Sequence, residues 1–510
     1  MENKEPSYFK YQPLLLALCT LIGLYGGYKF RLPSAVLSQN QEQLDQKTFF
    51  ADRKIKETFD FLDAKYIDSI DFSVVSDYLI EQLMYGLDPY SEYISKEKLN
   101  SYYKDLDASS AGLGIKTIRM DSTIVVTELH PNSPAWNHGI FPGCHILKVN
   151  DKKIGSRLID LDSLSMVNDG PVLTLDCFNP FETKEYRVKM ETVDLPNPSI
   201  PLDFADPSGF FYIKLERLGH NSYREFMRKM EEYCFEKEQS KLILDLRGNS
   251  GGLLNAAADI LNQLVPVRDK EMFSVAYKNG NRKSYKATGK PFFRLKNIII
   301  LTDEHTASSA EIMAGCLQDL KLAKIIGENT KGKATVLEAF KLSDGSQILL
   351  ATSRIYLPSG RSFQKPYSAF SGDSSLQWLS SQFSHLTDSS LTMNGITPDI
   401  KISDSEKKLK YHTSLRSDLE EWVLNHFDQF LHCFNPVSKE LDHKKMEAVV
   451  LRLAEQFATK SEARAFNKNE IESELRLVAL RKTLGLSAAL RAELDRDDVF
   501  KMASDQIRMD

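Results

Sequence analysis

Two side chains in the middle of the chain could form a catalytic pair, the hydroxyl of Ser308 and the amine of Lys333. A serine hydroxyl is a poor nucleophile until a neighbouring base removes its proton. A lysine amine can be that base near pH 7 only where burial favours its neutral form. Ser308 stands at the start of an apolar helical segment, and Lys333 stands in a strand-like run after a second buried strand. These residue types in these surroundings make Ser308 and Lys333 a candidate Ser–Lys dyad.

A glycine-rich turn, Asp245-Leu-Arg-Gly-Asn-Ser-Gly-Gly252, follows a buried strand and opens a helix. Glycines allow close backbone approach and positive φ, and the first N–H groups of a helix attract negative charge. Such a turn can bind a phosphate or the oxyanion of an acyl-transfer intermediate, whereas a plain strand-to-helix turn is the alternative. Its glycine spacing differs from G-x-G-x-x-G, which disfavours dinucleotide binding.

Both dyad residues have alternative roles. Ser308-x-x-Glu311 before an apolar run is the pattern of a capping box, in which the serine only caps its helix. The run Gly327-Glu-Asn-Thr-Lys-Gly-Lys333 nearly matches a P-loop, but Ala334 stands where Mg²⁺ coordination needs Ser or Thr. Residues 334–340 read as a strand, whereas a P-loop lysine opens a helix. Catalysis is favoured because the donor turn, the serine and the lysine lie at the ends of consecutive α/β elements, where loops converge.

Composition sets the class of protein. The chain has 510 residues, 42% hydrophobic and 26% charged, with a net charge of −5. The length indicates about three to four domains, and the charge gives no sign of a nucleic-acid partner. No Cys/His spacing resembles a metal site, so we expect no metal, and Ser–Lys chemistry needs no organic cofactor. A chain this long needs no covalent staples, so we expect structural thiols rather than disulfides at the six cysteines, Cys19, Cys144, Cys177, Cys234, Cys316 and Cys433.

The longest apolar run covers residues 11–28, close to the minimum length of a membrane-spanning helix. It is typical of a signal peptide or a signal anchor, and residues 1–34 are assigned to that segment. No clear A-x-A cleavage site follows, which favours an uncleaved anchor with the remainder outside the cytoplasm. A cleaved signal is the alternative.

The rest of the chain divides by its hydrophobic period into four regions. Residues 35–108 are predicted to be helical, with helices near 45–63 and 74–85. Residues 109–192 have a period of two and form a β-rich module. Residues 193–404 alternate apolar strands (211–215, 241–246, 297–302, 323–327) with helices (222–238, 252–264, 308–320), as layered α/β domains do. Residues 405–510 are charged and helical (415–434, 444–457, 470–486) without a chemical motif, which predicts a helical cap or an oligomerisation arm.

The β-rich module opens with Gly112, Leu113, Gly114 and Ile115. Two glycines can turn successive N–H groups inward as a nest for a carboxylate. An extended peptide could then add beside the following strand, with its C-terminal carboxylate in the nest. An ordinary turn is the alternative.

With these motifs assembled, residues 45–402 resemble the tail-specific, or C-terminal processing, serine proteases of bacteria and chloroplasts. Leu244–Gly252 resembles that family's D-L-R-G-N-P-G-G motif, with Ser250 where proline is usual. Thr306-Ala-Ser-Ser-Ala-Glu-Ile312 resembles its S-A-S-A-S-E-I motif, with the middle serine at Ser308, and Gly332-Lys333 resembles its G-K. The remaining blocks are the PDZ-like run from Gly112 through Pro134-Ala135, Gly139, Pro142-Gly143 and Val149-Asn150, together with Tyr356–Arg361 and Gly395–Asp399.

The resemblance implies a multidomain α/β protein, with a layered crotonase/ClpP-like protease core, an inserted PDZ domain and helical N- and C-terminal regions. It implies Ser308 as nucleophile and Lys333 as base. The oxyanion would be held by the N–H of Ser309 and that of Gly251 or Gly252. The substrates would be proteins or peptides with free C-termini, captured by the PDZ module. The expected location is the inner membrane, facing the periplasm or the exterior, or the periplasm after signal cleavage, and a homo-oligomer is left open.

One departure from the family pattern concerns the lysine. The family usually reads G-K-G-x-V-Q, and its glutamine helps to hold the lysine, whereas this chain has Leu337. In a strand Thr335 would share the face of Lys333, so Thr335 is predicted as a substitute orienting group. Leu337 keeps open a second reading, a peptide-binding adaptor with a weakened or inactive core. An acyl-thioester enzyme is a third, which the PDZ-like module and the export segment disfavour.

Overall fold

The structure is a computed structural model. It describes residues 53–106, 109–120, 123–130, 133–153, 172–180, 182–196, 198–234, 240–366, 395–402, 413–433, 441–460 and 466–509. The apolar run at residues 11–28 and the first part of the predicted helix at 45–63 lie outside these ranges. Within them, no helix has the length and apolar character needed to cross a bilayer. The chain splits into two compact units, with the boundary between Leu79 and Ile80.

Helices dominate the first described residues. Residues 53–65 are helical, and α1 runs over Phe72–Leu87, which confirms the helix predicted at 74–85. In the first unit the rings of Phe59 and Phe72 lie 5.4 Å apart. The turn that ends α1 carries Pro89, which cannot continue a helix. The sequence reading missed the strand β1 (Glu92–Ile94), which precedes α2 (Lys96–Leu106).

The central sheet has the strand order β10-β11-β12-β15-β16-β19, in which β10 is antiparallel and the other strands are parallel. Apolar side chains of its strands are buried on both faces, which is why those strands read as continuous apolar runs. Three helices connect them. The elements are β10 (Leu202–Ala205), β11 (Phe210–Lys214), α4 (Ser222–Cys234), β12 (Ser240–Asp245), α5 (Leu254–Leu264), β15 (Leu295–Thr302), α6 (Ser309–Asp319), β16 (Lys324–Gly327) and β19 (Ile400–Lys401).

A second, antiparallel sheet packs across one apolar cluster from the central strands and α4–α6. Its order is β1-β18-β13-β14, with β17 also paired to β18. The strand predicted at residues 334–340 is β17, whereas the sequence reading did not identify the other members. They are β13 (Glu271–Tyr277), β14 (Arg282–Lys286), β17 (Thr335–Lys341) and β18 (Gln347–Tyr356). The mixed α/β content and the several sheets confirm the coarse fold class.

The β-rich module has a sheet ordered β3-β4-β5-β7-β8, with β6 beside β5. Where the chain enters and leaves it, β2 and β9 pair antiparallel. Strand β3 lies at an edge of the described sheet. The elements are β2 (Ser109–Gly112), β3 (Ile115–Met120), β4 (Thr123–Leu129), α3 (Pro134–Asn137), β5 (His145–Val149), β6 (Lys152–Lys153), β7 (Val172–Asn179), β8 (Lys184–Glu191) and β9 (Val193–Pro196).

The described residues between 413 and 509 are mainly helical, as predicted, and touch two other parts of the molecule. On the β-rich module, Phe141 stacks on Phe427 and Glu128 pairs with Arg481 at 2.9 Å. On the central sheet, Phe500 joins the cluster on the face away from α4–α6. The helices are α7 (Thr413–Asn425), α8 (Phe427–Leu431), α9 (His443–Ala458), α10 (Lys468–Leu484), α11 (Leu486–Leu494) and α12 (Asp498–Met509).

The cysteines in the described ranges form no disulfide and are buried, namely Cys144, Cys177, Cys234, Cys316 and Cys433. Cys19 lies outside those ranges. Burial raises the pKa of the Cys316 thiol far above its usual range, so that side chain packs as a small apolar group.

Candidate active site

Ser308 occupies a strained junction between β15 and α6. Its φ is 55° and its ψ is −122°, a combination that residues with a side chain rarely adopt and that costs about 1–3 kcal/mol. A serine that only caps a helix has extended backbone angles instead. The Glu311 half of a capping box is present, since its carboxylate accepts the Ser308 N–H, but the backbone differs from that of a plain cap. The junction is held on one side by the Ala307 N–H, which donates to the Asn249 carbonyl at 2.9 Å.

The carboxylate of Glu311 connects the two predicted catalytic segments. Its Oε2 accepts the N–H of Ser308 at 2.8 Å and the N–H of Lys333 at 2.9 Å. Its Oε1 accepts the N–H of Gly332 at 2.7 Å and the hydroxyl of Thr330. One buried oxygen therefore fixes the main chain at both members of the predicted dyad. From the sequence, Glu311 was predicted only as the acidic residue of a capping box.

Burial dominates the electrostatics of Glu311. Desolvation raises its pKa to about 7, and the four hydrogen-bond donors only partly offset that rise. The carboxyl group thus titrates near neutral pH. Only the ionised carboxylate can accept all four of these hydrogen bonds. A protonated carboxyl group becomes a donor at one of its oxygens.

Lys333 precedes β17 and does not lie within the strand, contrary to the sequence reading. Gly332 has a φ of 84°, and a Cβ there would lie 2.7 Å from the Cβ of Lys365, so only glycine fits before the lysine. After the lysine, the Ala334 N–H donates to Oε1 of the buried Gln364 at 3.0 Å. The strand β17 follows this segment, which agrees with the strand predicted at residues 334–340 and not with the helix that a P-loop lysine opens.

The amine of Lys333 is half-buried and lies 4.9 Å from the centre of the Tyr90 ring, within the range of a cation–π contact. Desolvation lowers its pKa, the nearby Lys331 lowers it further, and Asp88 and Glu311 oppose the shift. The lowered pKa is what a lysine base requires. Among the described residues no hydrogen bond joins the Lys333 amine to the Ser308 hydroxyl. Catalytic hydrogen bonds often tighten only when substrate binds.

Tyr90 reaches this place through a short rigid turn. The Asp88 carboxylate accepts the N–H groups of Tyr90 and Ser91, each at 2.8 Å. The Ser91 hydroxyl oxygen in turn accepts the N–H of Ala351 on β18 at 3.1 Å. Sequence reasoning missed Tyr90, because nothing local links it to a lysine 243 positions away.

Thr335, predicted to orient the lysine, is the first residue of β17 and is buried. Within the described structure its hydroxyl has no hydrogen-bond partner, so it does not hold the amine in this conformation. The pairing of β17 with β18 shifts register between Val336 and Leu337, which interrupts the simple alternation that the sequence argument assumed.

The glycine-rich turn lies directly against the serine. A Cβ on Gly251 would lie 2.8 Å from the Ser308 Cβ, and the φ of Gly251 is 97°. The Gly251 N–H donates to Oδ1 of Asn249 at 2.8 Å and is therefore occupied. In the described part of the chain, the N–H groups of Gly252 and Ser309 donate to no backbone or side-chain acceptor. Of the two glycines named from sequence, Gly252 is thus the one with a free donor.

Arg247 and Asp245 lock the start of that turn. Asp245 is buried and accepts the Arg247 guanidinium in a bidentate contact, at 2.6 Å from Nη2. It also accepts the Tyr212 hydroxyl at 2.6 Å. Burial alone would raise the pKa of Asp245, but Arg247 holds it well below its usual range. The Asp497 carboxylate, on the opposite side of Arg247, lies 2.5 Å from Nη1.

The segment 112–115 joins β2 to β3 through a tight bend at Gly114, and the carboxylate nest predicted there stays a prediction. Gly114 has a φ of 78°, and a Cβ there would overlap the Cβ of Ser133 at 2.2 Å. The Gly114 carbonyl accepts the His130 N–H at 2.7 Å, and the Leu113 carbonyl accepts the Ala135 N–H at 3.1 Å. Leu113 and Ile115 are buried in the module core.

In the ranges described, no group of three or more Cys, His, Asp or Glu side chains could hold a metal ion.

Comparison with known proteins agrees with these observations. The model of peptidase family S41 matches residues 210–402, which contain Ser308 and Lys333. Carboxy-terminal processing protease CtpB of Bacillus subtilis (strain 168) is 25% identical over 350 residues, 67% of this chain and 72% of the relative. CtpA of the same strain is 28% identical over 324 residues, 63% and 68% of the two chains. The photosystem II D1 C-terminal processing protease aligns with 20% identity and a TM-score of 0.38, over 69% of this chain and 86% of that one. That structural likeness is too distant to inform the site.

A peptidase core with a serine at a strained junction defines the class of protein: this chain is a serine-type peptidase. More narrowly, residues 210–402 match peptidase family S41, and the chain is similar to carboxy-terminal processing proteases.

Proposed function

We propose that the protein is an endopeptidase that uses a Ser308–Lys333 dyad to cleave exported or envelope proteins near their C-termini. The observation that carries the proposal is the shared Glu311 oxygen, which binds the N–H groups of both residues. The strained backbone of Ser308 and the lowered pKa of Lys333 support the same roles.

In this mechanism Lys333 Nζ leaves the Tyr90 ring, takes the proton of the Ser308 hydroxyl, and the oxygen attacks the scissile carbonyl. Because Glu311 already fixes the main chain at both positions, the approach we propose is a rotation of the lysine side chain. The N–H groups of Ser309 and Gly252 stabilise the oxyanion, and one such donor is typically worth about 3 kcal/mol. The lysine ammonium then protonates the leaving amine. Water hydrolyses the acyl-enzyme.

The β-rich module would capture the substrate tail as a PDZ domain does. The N–H groups of residues 112–115 would bind the terminal carboxylate, and the tail would add beside β3, an edge strand in the described sheet. The captured chain would then extend toward Ser308.

The proposed location is the inner membrane, with the enzyme facing the periplasm or exterior through the apolar run at residues 11–28. A periplasmic enzyme released by signal cleavage is the alternative. Fractionation of cells before and after a carbonate wash separates them, since only an anchored enzyme stays with the membrane.

A peptide-binding adaptor with an inactive core remains the rival function, because Leu337 replaces the family's usual glutamine. The strained Ser308 backbone favours the enzyme, since such strain persists where the surrounding structure enforces it and clusters at active sites.

The test is incubation of the purified protein with an unfolded protein that ends in an apolar tail. Cleavage by wild type and none by Ser308→Ala supports the proposal, and Ser359→Ala, at an exposed serine of the same domain, is the matched control. Equal cleavage by wild type and Ser308→Ala, or a tail that is bound but never cut, refutes it.

A further inference from the structure

We infer that Asp497, in the C-terminal helical region, is a positioning residue for the oxyanion-binding turn. The inference deepens the proposed function and rests on it. It also gives that region a part in the active site, which nothing in its sequence indicated.

Arg247 is held from two sides by carboxylates of different origin. On one side, Asp245 at the end of β12 accepts its Nη2 at 2.6 Å. On the other, Asp497 Oδ2 lies 2.5 Å from Nη1. Only 17% of the arginine side chain and 13% of the aspartate side chain are exposed, so solvent screens this pair little. Without Asp497, Nη1 would lose its carboxylate partner.

The position of Arg247 passes directly into the turn. Its own N–H donates to Asp245 at 3.0 Å, and its carbonyl accepts the Lys214 amine at 3.0 Å. The next residue, Gly248, donates its N–H to Asp303. The turn then continues through Asn249 to the glycine whose N–H would meet the oxyanion.

Asp497 has the geometry for two separate tasks. Its Oδ1 accepts the N–H groups of Val499 and Phe500, at 2.9 and 3.2 Å, and so caps α12. Its Oδ2 is left for Arg247. Helix α12 is itself fixed on the sheet through the buried Phe500 and through the Ile507 carbonyl, which accepts the Lys241 amine at 2.8 Å. The aspartate thus connects an anchored helix to the turn.

The two tasks can be separated, because asparagine caps a helix about as well as aspartate does. Asp497→Asn keeps the cap and removes the charge facing Arg247. The matched control is Asp442→Asn, since Asp442 caps α9 in the same region by accepting the N–H groups of Lys444 and Lys445, each at 3.1 Å.

For Asp497→Asn we expect a kcat at least tenfold lower, a KM within about twofold of wild type and a melting temperature close to wild type, since loss of one oxyanion donor typically lowers kcat about 100-fold or more. A peptide boronic acid, whose adduct places an oxygen where the oxyanion forms, should lose affinity by the same factor as kcat. Asp442→Asn should match wild type throughout. Wild-type kinetics and boronate affinity in Asp497→Asn would overturn the inference.

Hydrogen exchange tests the same link without catalysis. Amides of residues 246–252 should exchange faster in Asp497→Asn than in wild type or Asp442→Asn. If wild type shows no Ser308-dependent cleavage, the proposed function fails, and exchange alone then decides whether Asp497 orders the turn. Unchanged exchange there would refute the positioning role.

Discussion

Removing the Glu311 carboxylate should separate the enzyme's stability from its activity. In Glu311→Gln the amide has a single acceptor oxygen, which can still serve Ser308 and Lys333. The amide nitrogen then faces Thr330, whose hydroxyl can accept, and Gly332, whose N–H cannot. One buried N–H without an acceptor costs about 1–3 kcal/mol. This loss of stability is offset because the Glu311→Gln variant avoids the free-energy cost of burying a charge.

The charge contribution follows from the pKa of Glu311, which burial raises from 4.5 to about 7. That rise corresponds to about 3 kcal/mol of folding stability that is present at low pH and lost as the pH rises through 7. The two effects of Glu311→Gln therefore nearly cancel above pH 7. We expect a melting temperature close to wild type at pH 8, with a kcat about tenfold lower because the site is less firmly held.

Glu311→Met extends the test, since it fills a similar volume and accepts no hydrogen bond. It leaves the N–H groups of Ser308, Gly332 and Lys333 without an acceptor, so we expect a kcat at least 100-fold lower and a lower melting temperature. Glu304→Gln, at a carboxylate that is 75% exposed, is the control. The assay is cleavage of a tailed substrate alongside thermal unfolding at pH 5 and pH 8. If folded Glu311→Gln and Glu311→Met both turned over within twofold of wild type, the carboxylate would not be holding the dyad.

Further substitutions test the base and its surroundings. Lys333→Ala should abolish turnover, whereas Lys331→Ala should only perturb it, and equal losses in a peptide-cleavage assay would contradict the assignment of the base. Leu337→Gln should preserve or raise kcat if the leucine is a tolerated departure, and a sharp fall would mean that the lysine is held differently. Activity should rise with pH as Lys333 loses its proton, and a flat profile from pH 5 to 9 would argue against a lysine base. Tyr90→Ala should move that profile to higher pH while Tyr90→Phe leaves it in place. The reason is that rehydration can raise a buried lysine's pKa by several units, whereas the lost cation–π contact is worth only about 0.5–2 kcal/mol; a shift to lower pH would refute this.

Local signals in the sequence were enough to predict the central strands and helices. The strands near 241–246 and 297–302 are buried on both faces and therefore carry unbroken apolar runs, and the glycine-rich turn has an unusual composition. The second sheet was largely missed, because β14 is mostly exposed and polar, while β18 mixes apolar and polar residues without strict alternation. A period-based argument has little to detect in either strand.

The contacts that complete the site could not be predicted, because each joins residues far apart in the chain. Tyr90 meets Lys333, and Asp497 meets Arg247, with no pattern near either partner to indicate the pairing. The prediction that Thr335 orients Lys333 rested on a related simplification. It assumed one continuous strand from Lys333 onward, whereas β17 begins only at Thr335 and its pairing shifts register soon afterwards.

At Ser308 the catalytic need for a serine side chain conflicts with folding stability, because a side chain strains this backbone conformation. Glycine adopts a φ of 55° with little strain, so Ser308→Gly should relieve about 1–3 kcal/mol while adding about 1 kcal/mol of unfolded-chain entropy to overcome. Ser308→Ala keeps the strain and also loses the hydroxyl. Ser308→Gly should therefore unfold at a higher temperature than Ser308→Ala, although neither can cleave. The most stable backbone at this junction is thus that of an inactive glycine variant. The active enzyme keeps a serine there although the strained backbone lowers its folding stability.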